Sequence, residues 1–98
     1  MLVKIHEACR TIVSICDSTL LEKTFEEGAK ALNITKSFYG GEEKNQEEVL
    51  QIMEDYSAND ATFNIVGKES TSLALKCGLV KKEGITSIQG IPIALVLL

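Results

Sequence analysis

The chain has 98 residues, of which 45% are hydrophobic and 24% charged, with a formal net charge of −4. A chain of this length forms one domain with one core, here residues 1–98, and the composition is typical of a soluble globular protein. The negative charge excludes bulk attraction to DNA or to an anionic membrane, so contact with RNA requires a local basic patch. The longest apolar run, residues 91–98, is far shorter than the roughly twenty residues that span a bilayer.

Two features of the sequence indicate a cytoplasmic protein without a metal or another cofactor. His6 and Glu7 interrupt the N-terminal stretch where a secretory signal requires a continuous apolar segment. The three cysteines, Cys9, Cys16 and Cys77, are widely spaced and contain no Cys-x-x-Cys pair. With one histidine in the chain, a four-ligand metal site at the usual spacing is not expected, and the cysteines are predicted to be reduced and buried.

The first third of the chain predicts a β-hairpin followed by a helix. Residues 2–6 and 11–16 are rich in Ile and Val and predict two strands joined by a short turn. Asp17 is a good N-cap for a helix over residues 18–27, which Gly28 can end. A longer helix is the alternative, because the apolar spacing continues to Leu32. A glycine inside a helix costs about 1 kcal/mol, however, so residues 29–34 are predicted as a short strand.

The middle of the chain predicts a turn and a second helix. Two aromatic residues followed by two glycines make residues 37–41 a turn. Asn45 and Glu48 have the spacing of a capping box. The apolar residues at i, i+3, i+4 and i+7 that follow are Val49, Ile52, Met53 and Tyr56. This spacing predicts an amphipathic helix with its apolar stripe in the core.

The last third predicts a strand over residues 61–66 and a helix over residues 68–77, ended by Gly78 and Leu79. Two further strands are predicted over residues 85–88 and 93–98. The order β-β-α-β-α-β-α-β predicts a single α/β domain. Its sheet is expected to be mixed but mostly parallel, with about five strands and three helices.

Polar residues and glycines follow three predicted strands and are expected to share one edge, where open parallel sheets bind their ligands. The candidate ligand-binding residues are Asp17, Tyr39, Gly40, Gly41, Asn64, Gly67 and Lys68. Each has a structural interpretation as well: the carboxylate can cap a helix, the phenol can pack, the glycines can turn and the amide can bind loop backbone. An anion at the helix start near Lys68 would compete with Glu69, which already complements the helix dipole.

A small basic group near the third helix is the candidate contact for RNA or another partner. It consists of Lys76, Lys81 and Lys82, whose alternative role is to complement the helix dipole as solvated side chains. Residues 42–60 carry seven carboxylates against one lysine and form an acidic belt that repels RNA. No catalytic arrangement is evident, since His6 has no nucleophile in register and the adjacent Glu26 and Glu27 point apart on a helix.

A set of short motifs, spread over nearly the whole chain, carries a family resemblance. They are Cys16-Asp17, Leu20-Leu21, Lys23-Thr24-Phe25, Glu27-Gly28, Phe38-Tyr39-Gly40-Gly41-Glu42, Asn64-Ile65-Val66-Gly67, Leu73-Ala74, Gly78-Leu79-Val80 and Gly90-Ile91-Pro92. In this order they resemble the archaeal family called domain of unknown function 424. The resemblance implies an association with translation and ribosome-related proteins, and no assigned activity. Members often carry a histidine after the Gly-x-Pro stretch, where this chain has Ile93.

Two classes of function follow. The first is a non-enzymatic module that binds a protein or an RNA of the translation machinery. The alternative is a protein that binds a small molecule or an anion, with or without catalysis, at the edge formed by Asp17, Tyr39, Asn64 and Gly67. An open pocket in which these side chains converge favours the alternative, whereas a filled edge with capped helices favours the binding module.

Overall fold

The computed structural model describes residues 1–97 and contains a six-stranded sheet in the order β5-β1-β2-β6-β8-β7, with a separate two-stranded hairpin, β3-β4. The strands are β1 (Leu2–Glu7), β2 (Thr11–Cys16), β3 (Thr24–Glu27), β4 (Lys30–Asn33), β5 (Glu42–Glu43), β6 (Thr62–Val66), β7 (Ile85–Ile88) and β8 (Ile91–Val96). The helices are α1 (Lys36–Tyr39), α2 (Gln46–Ser57) and α3 (Lys68–Lys76). Leu98, the last residue of the predicted final strand, lies outside the described residues.

The sheet is mixed, as predicted, but the prediction of mostly parallel pairing was wrong. Among residues 1–97, only β2 and β6 pair in parallel, and the other four neighbouring pairs of this sheet are antiparallel. Alternating helices and strands suggested repeated crossovers, yet the chain after α3 forms a hairpin. Gln89 and Gly90, at φ 51° and 77°, make its tight turn. The second strand of the hairpin, β8, pairs with β6 and therefore runs antiparallel to it.

The predicted helix over residues 18–27 was also wrong. A 3₁₀ turn spans Ser18–Leu20, and β3 and β4 then form a hairpin in which Phe25 pairs with Leu32. Both side chains pack against the sheet beside Cys16. Burying this apolar pair against the sheet outweighs the local helical cues, and Gly28 serves as the hairpin turn rather than a helix end. The predicted strand over residues 29–34 is present as β4, and the predicted turn after it contains the one-turn helix α1.

The two longer helices match the sequence prediction. At the start of α2 the Asn45 side chain accepts from the Glu48 N–H at 2.9 Å, while the Glu48 carboxylate accepts from the Asn45 N–H at 3.1 Å. The end of α3 is a Schellman motif, in which the Leu79 N–H donates to the Ala74 carbonyl at 2.9 Å. Gly78 permits this ending with a φ of 81°. Local capping chemistry therefore fixes the start of α2 and the end of α3.

Each face of the sheet carries its own core. On the helix face, α2 and α3 cover the centre of the sheet and bury Val49, Met53 and Leu73 against Ile15 and Phe63. On the hairpin face, the β3-β4 hairpin and α1 cover one end of the sheet. The residues buried there are Cys16, Ile34, Tyr39 and Val66. No helix among residues 1–97 is long and apolar enough to cross a membrane.

We expect Met53→Asp to lower the free energy of unfolding by roughly 3 kcal/mol or more, because the new carboxylate has no partner in the core. The Met53 side chain is 1% exposed in the centre of the helix-face core. Urea denaturation measures the loss. The matched control is Gln46→Glu, which adds a carboxylate to the exposed first turn of the same helix and is expected to change stability by no more than about 0.5 kcal/mol. Equal stability of the two variants would show that the α2 stripe is not core.

Candidate functional site

The parallel pairing of β2 and β6 brings two of the predicted site residues together. Cys16 lies opposite Val66, so both strands end at the same edge of the sheet. The Asp17 N–H donates to the Val66 carbonyl at 3.1 Å and continues the ladder one residue further. Asp17 and Gly67 therefore meet at this edge, as the sequence predicted.

The Asp17 carboxylate lies at the N-terminus of α3 and is engaged there by three donors. Its Oδ1 accepts from the Ser70 N–H at 2.9 Å and from the Ser70 hydroxyl at 2.8 Å, and its Oδ2 accepts from the Glu69 N–H at 3.1 Å. Asp17 was predicted to cap the segment that follows it, but its side chain makes no such bond. It caps a helix about fifty residues later in the chain, because that helix begins at the same sheet edge.

Gly67 leaves the space that this carboxylate fills. Its φ of 111° is one that residues with a side chain rarely adopt, and a Cβ built on it would lie 2.3 Å from the Asp17 Cγ. The position at the start of α3 where an external anion would bind is therefore occupied by a carboxylate of the protein itself.

Tyr39, Gly40 and Gly41 lie apart from this capped edge. Tyr39 is 6% exposed in the hairpin-face core, and burial, with a smaller contribution from Cys16, raises the pKa of its phenol. Gly41 runs against β1 so closely that a Cβ there would lie 1.9 Å from the Val3 carbonyl oxygen. A Cβ at Gly40 would lie 2.4 Å from the Lys36 carbonyl oxygen. Close backbone packing accounts for both glycines.

Asn64 lies in the middle of β6 rather than at its end. It pairs with Ser14 on one side and Leu95 on the other, on the hairpin face of the sheet. Two hydroxyls on this face, those of Ser14 and Thr62, are buried and have no hydrogen-bond partner among residues 1–97. The four residues proposed from the sequence as one edge thus occupy three different places in the fold.

A groove between α3 and the start of α2, called here the α2–α3 groove, is a further candidate that the sequence did not indicate as a site. Its volume is about 680 Å³, and its lining consists of Met1, Lys44, Asn45, Gln46, Lys68, Glu69, Ser72, Leu73 and Lys76. Lys68, Ser72 and Lys76 are spaced by four residues and form one stripe along α3. That spacing was visible in the sequence, but it does not reveal that Met1 and the start of α2 form the opposite side of the groove. Lys81 and Lys82 do not line this groove.

The charges of the α2–α3 groove are unevenly neutralised. The Lys44 ammonium lies 2.9 Å from the Glu42 carboxylate and 3.9 Å from that of Glu48, and the hydrogen bond to Glu42 raises the pKa of Lys44. Lys68 and Lys76 make no ion pair within the described part of the chain. These two ammonium groups make the α3 wall attractive to an anionic ligand.

No group of three His, Cys, Asp or Glu side chains in residues 1–97 has the arrangement of a metal site. The only histidine packs on α1, with its Nε2 2.9 Å from the Phe38 carbonyl oxygen and its ring stacked on that of Phe38 at 4.7 Å. His6 thus holds the short helix against β1. This contact is a structural use of the ring.

Comparison with known proteins identifies a family and a fold. The family described as "Protein of unknown function (DUF424)" matches residues 6–98. The crystal structure of an uncharacterized conserved protein from Methanopyrus kandleri superimposes with a TM-score of 0.81 at 22% sequence identity. The match covers 98% of this chain and 90% of that protein. At this identity the likeness shows a shared fold. No curated protein matches the chain.

The cysteines differ in exposure, contrary to the prediction that all three are buried. Cys9 and Cys77 are exposed, whereas Cys16 is buried. Both exposed residues lie at chain reversals, Cys9 between β1 and β2 and Cys77 at the end of α3. Burial, with a smaller contribution from the Asp17 carboxylate, raises the pKa of the Cys16 thiol to about 11.

We therefore expect a thiol reagent such as Ellman's reagent to modify Cys9 and Cys77 rapidly in the native protein near pH 8. Cys16 should react only after denaturation, because it is 0% exposed and remains protonated at that pH. Cys16→Ala is the control, and it should leave the native reaction unchanged and remove one equivalent from the denatured total. Three rapid equivalents in the folded protein would contradict the assignment.

We expect Asp17→Asn to lower the free energy of unfolding by about 1–2 kcal/mol. The amide can accept on its oxygen, but its NH₂ group then faces a backbone N–H of α3 that needs an acceptor. The control is Glu26→Gln, which removes a carboxylate from the exposed hairpin strand β3. Chemical denaturation of both variants separates loss of the cap from loss of a surface charge. An Asp17→Asn protein as stable as the control would show that the carboxylate is not a required cap.

Proposed function

Because the chain belongs to the DUF424 family of proteins of unknown function, we propose its role from the geometry: a non-enzymatic binding module whose α2–α3 groove contacts an anionic partner. The partner we propose is an RNA of the translation machinery. The cytoplasmic location expected from the sequence is part of this proposal. The observation that carries it is the groove itself, with two lysines on one wall that no carboxylate of residues 1–97 pairs with.

The spacing of these lysines suits a polyanion. Lys68 and Lys76 are eight residues apart on α3, which places them about 12 Å apart along the helix axis. Ser72 lies between them in the same groove and adds a hydroxyl donor. Ammonium and hydroxyl groups at intervals along a helix bind successive phosphates of a nucleic-acid backbone. A single small anion would use only one end of such a stripe.

The distribution of the other charges also favours RNA binding on the α3 side of the molecule. Residues 68–84 contain four lysines and two glutamates, and Lys81 and Lys82 continue the basic character beyond the end of α3. The acidic belt of residues 42–60 includes the whole of α2. Because like charges repel the phosphate backbone, RNA is favoured along α3 and disfavoured on the outer side of α2.

The polar residues at the sheet edge have structural partners, which supports a binding role over catalysis. The Asp17 carboxylate is engaged by three donors at α3, and the Tyr39 phenol lies in the core. The alternative, a small-molecule or anion site formed by Asp17, Tyr39, Asn64 and Gly67, requires these groups to converge on open space. The structure instead places Asp17 and Gly67 at the start of α3, Tyr39 in the hairpin-face core and Asn64 in the middle of β6.

The proposal predicts that Lys68→Gln with Lys76→Gln weakens binding of a fluorescein-labelled single-stranded RNA, followed by fluorescence anisotropy. Each lost phosphate contact should also lower the slope of log K against log salt by roughly 0.7. The matched control is Lys23→Gln with Lys30→Gln, which removes the same charge from exposed positions around β3 and β4. We expect the control to bind RNA almost as the unmodified protein does.

Two outcomes contradict the RNA proposal. If both double variants weaken RNA binding equally, binding depends on net charge and not on the α3 lysines. If the unmodified protein does not bind RNA at low salt, RNA is not the partner. In the second case, affinity capture with nuclease-treated and untreated lysate distinguishes a protein partner of the groove from none. Thermal denaturation of each variant confirms that the fold is unchanged, since both pairs are exposed.

A further inference from the structure

The outer edge of β1 is only partly covered. Its neighbour β5 has two residues, which pair with Leu2 and Val3. The chain before β5 passes close to the Val3 carbonyl at Gly41. From Ile5 to Glu7 no strand of the described chain pairs with this edge. Backbone groups on such an edge are available to an added strand.

An open pocket lies beside this edge on the helix face. Its volume is about 460 Å³, and its lining consists of Val3, Lys4, Ile5, Gly41, Glu42, Lys44, Ile52 and Tyr56. Ile5 is 36% exposed, and Ile52 and Tyr56 of α2 are half-buried. The Tyr56 hydroxyl makes no side-chain hydrogen bond with residues 1–97. The pocket therefore offers an apolar floor and one free polar group to a side chain from an adjacent strand.

Two exposed carboxylates, Glu7 on β1 and Asp55 on α2, lie next in sequence or on the same strand face to residues that line this pocket. Glu7 lies on the same face of β1 as Val3 and Ile5, because side chains alternate along a strand. Asp55 lies next to Tyr56 on the exposed side of α2, and its carboxylate accepts only the Gln51 amide. Neither carboxylate forms an ion pair within residues 1–97, whereas both lysines of the pocket are engaged: Lys4 donates to the Ser37 carbonyl and Lys44 pairs with Glu42.

We propose that the outer edge of β1 binds an extended, basic peptide segment of a partner protein by strand addition. The peptide backbone pairs with Ile5–Glu7, one apolar side chain enters the pocket between Ile5 and Tyr56, and Lys or Arg side chains beside it meet Glu7 and Asp55. Backbone hydrogen bonds supply affinity in this mode, and alternate side chains supply selectivity. The surface is separate from the lysine stripe of α3.

The charges select this occupant over two others. RNA is disfavoured by Glu7, Asp55 and the acidic belt around them. A second copy that paired β1 with β1 antiparallel would place the two acidic α2 helices on the same side of the joined sheet, where they repel one another. A basic segment instead neutralises carboxylates that form no ion pair within residues 1–97.

The test is selection from a displayed library of random ten-residue peptides on the immobilised protein, followed by affinity measurement with the enriched peptides. We expect enriched sequences to alternate Lys or Arg with apolar residues. Their affinity should fall about tenfold or more for Ile5→Lys, which fills the pocket with a cation, and for Asp55→Lys. Glu26→Lys is the matched control, because it makes the same charge change on the exposed strand β3, and it should alter affinity less than about twofold.

Hydrogen exchange provides the readout for strand addition: amides among Ile5–Glu7 should gain protection when an enriched peptide is bound. Failure to enrich any peptide, enrichment of acidic peptides, or equal affinity for Asp55→Lys and Glu26→Lys would each overturn the proposal. Sedimentation that shows a dimer abolished by Ile5→Lys would assign the edge to a second copy instead.

Discussion

The Asp17 carboxylate at the start of α3 is the contact on which the arrangement of the sheet and the helices depends. It follows the last residue of β2, and the helix it caps follows the last residue of β6. One side chain therefore links the end of β2 to the start of the helix that follows β6, its parallel neighbour. A buried helix start with unpaired N–H groups would be costly, and the Gly67 backbone leaves the space in which this carboxylate satisfies them.

The position of α3 in turn determines where charge collects. Both long helices begin at the same end of the sheet and lie side by side on the helix face, so the basic stripe of α3 forms one wall of a groove whose other side consists of Met1, Lys44, Asn45 and Gln46 at the start of α2. Lys44 borders this groove and also the pocket beside β1, and its ion pairs with Glu42 and Glu48 lie between the two. The protein thus presents cations along α3 and carboxylates along the outer side of α2. The cationic surface favours an anionic partner, and the anionic surface favours a cationic partner.

Elements bounded by their own capping chemistry could be predicted from the sequence. The capping box at Asn45 and the glycine ending at Gly78 are local signals: α2 begins directly after its predicted N-cap, and α3 has the predicted bounds to within a residue. The segment after Asp17 failed because its signals were ambiguous: the same Gly28 suits a helix end or a hairpin turn. The hairpin forms because it buries Phe25 and Leu32 against distant strands, and no local sequence pattern contains that information.

The candidate site shows the same division between local and distant information. The sequence correctly placed Asp17 and Gly67 at one sheet edge, because consecutive ends of parallel strands meet there. It could not show which helix Asp17 caps, since the N–H donors belong to whichever helix starts beside the carboxylate after folding. Polar residues at strand ends are therefore ambiguous between ligand contacts and caps. The lysines of α3 differ, because their ammonium groups make no ion pair within residues 1–97, although Lys76 in the last turn also complements the helix dipole. The interaction surface is therefore more reasonably sought on that helix than at the strand ends.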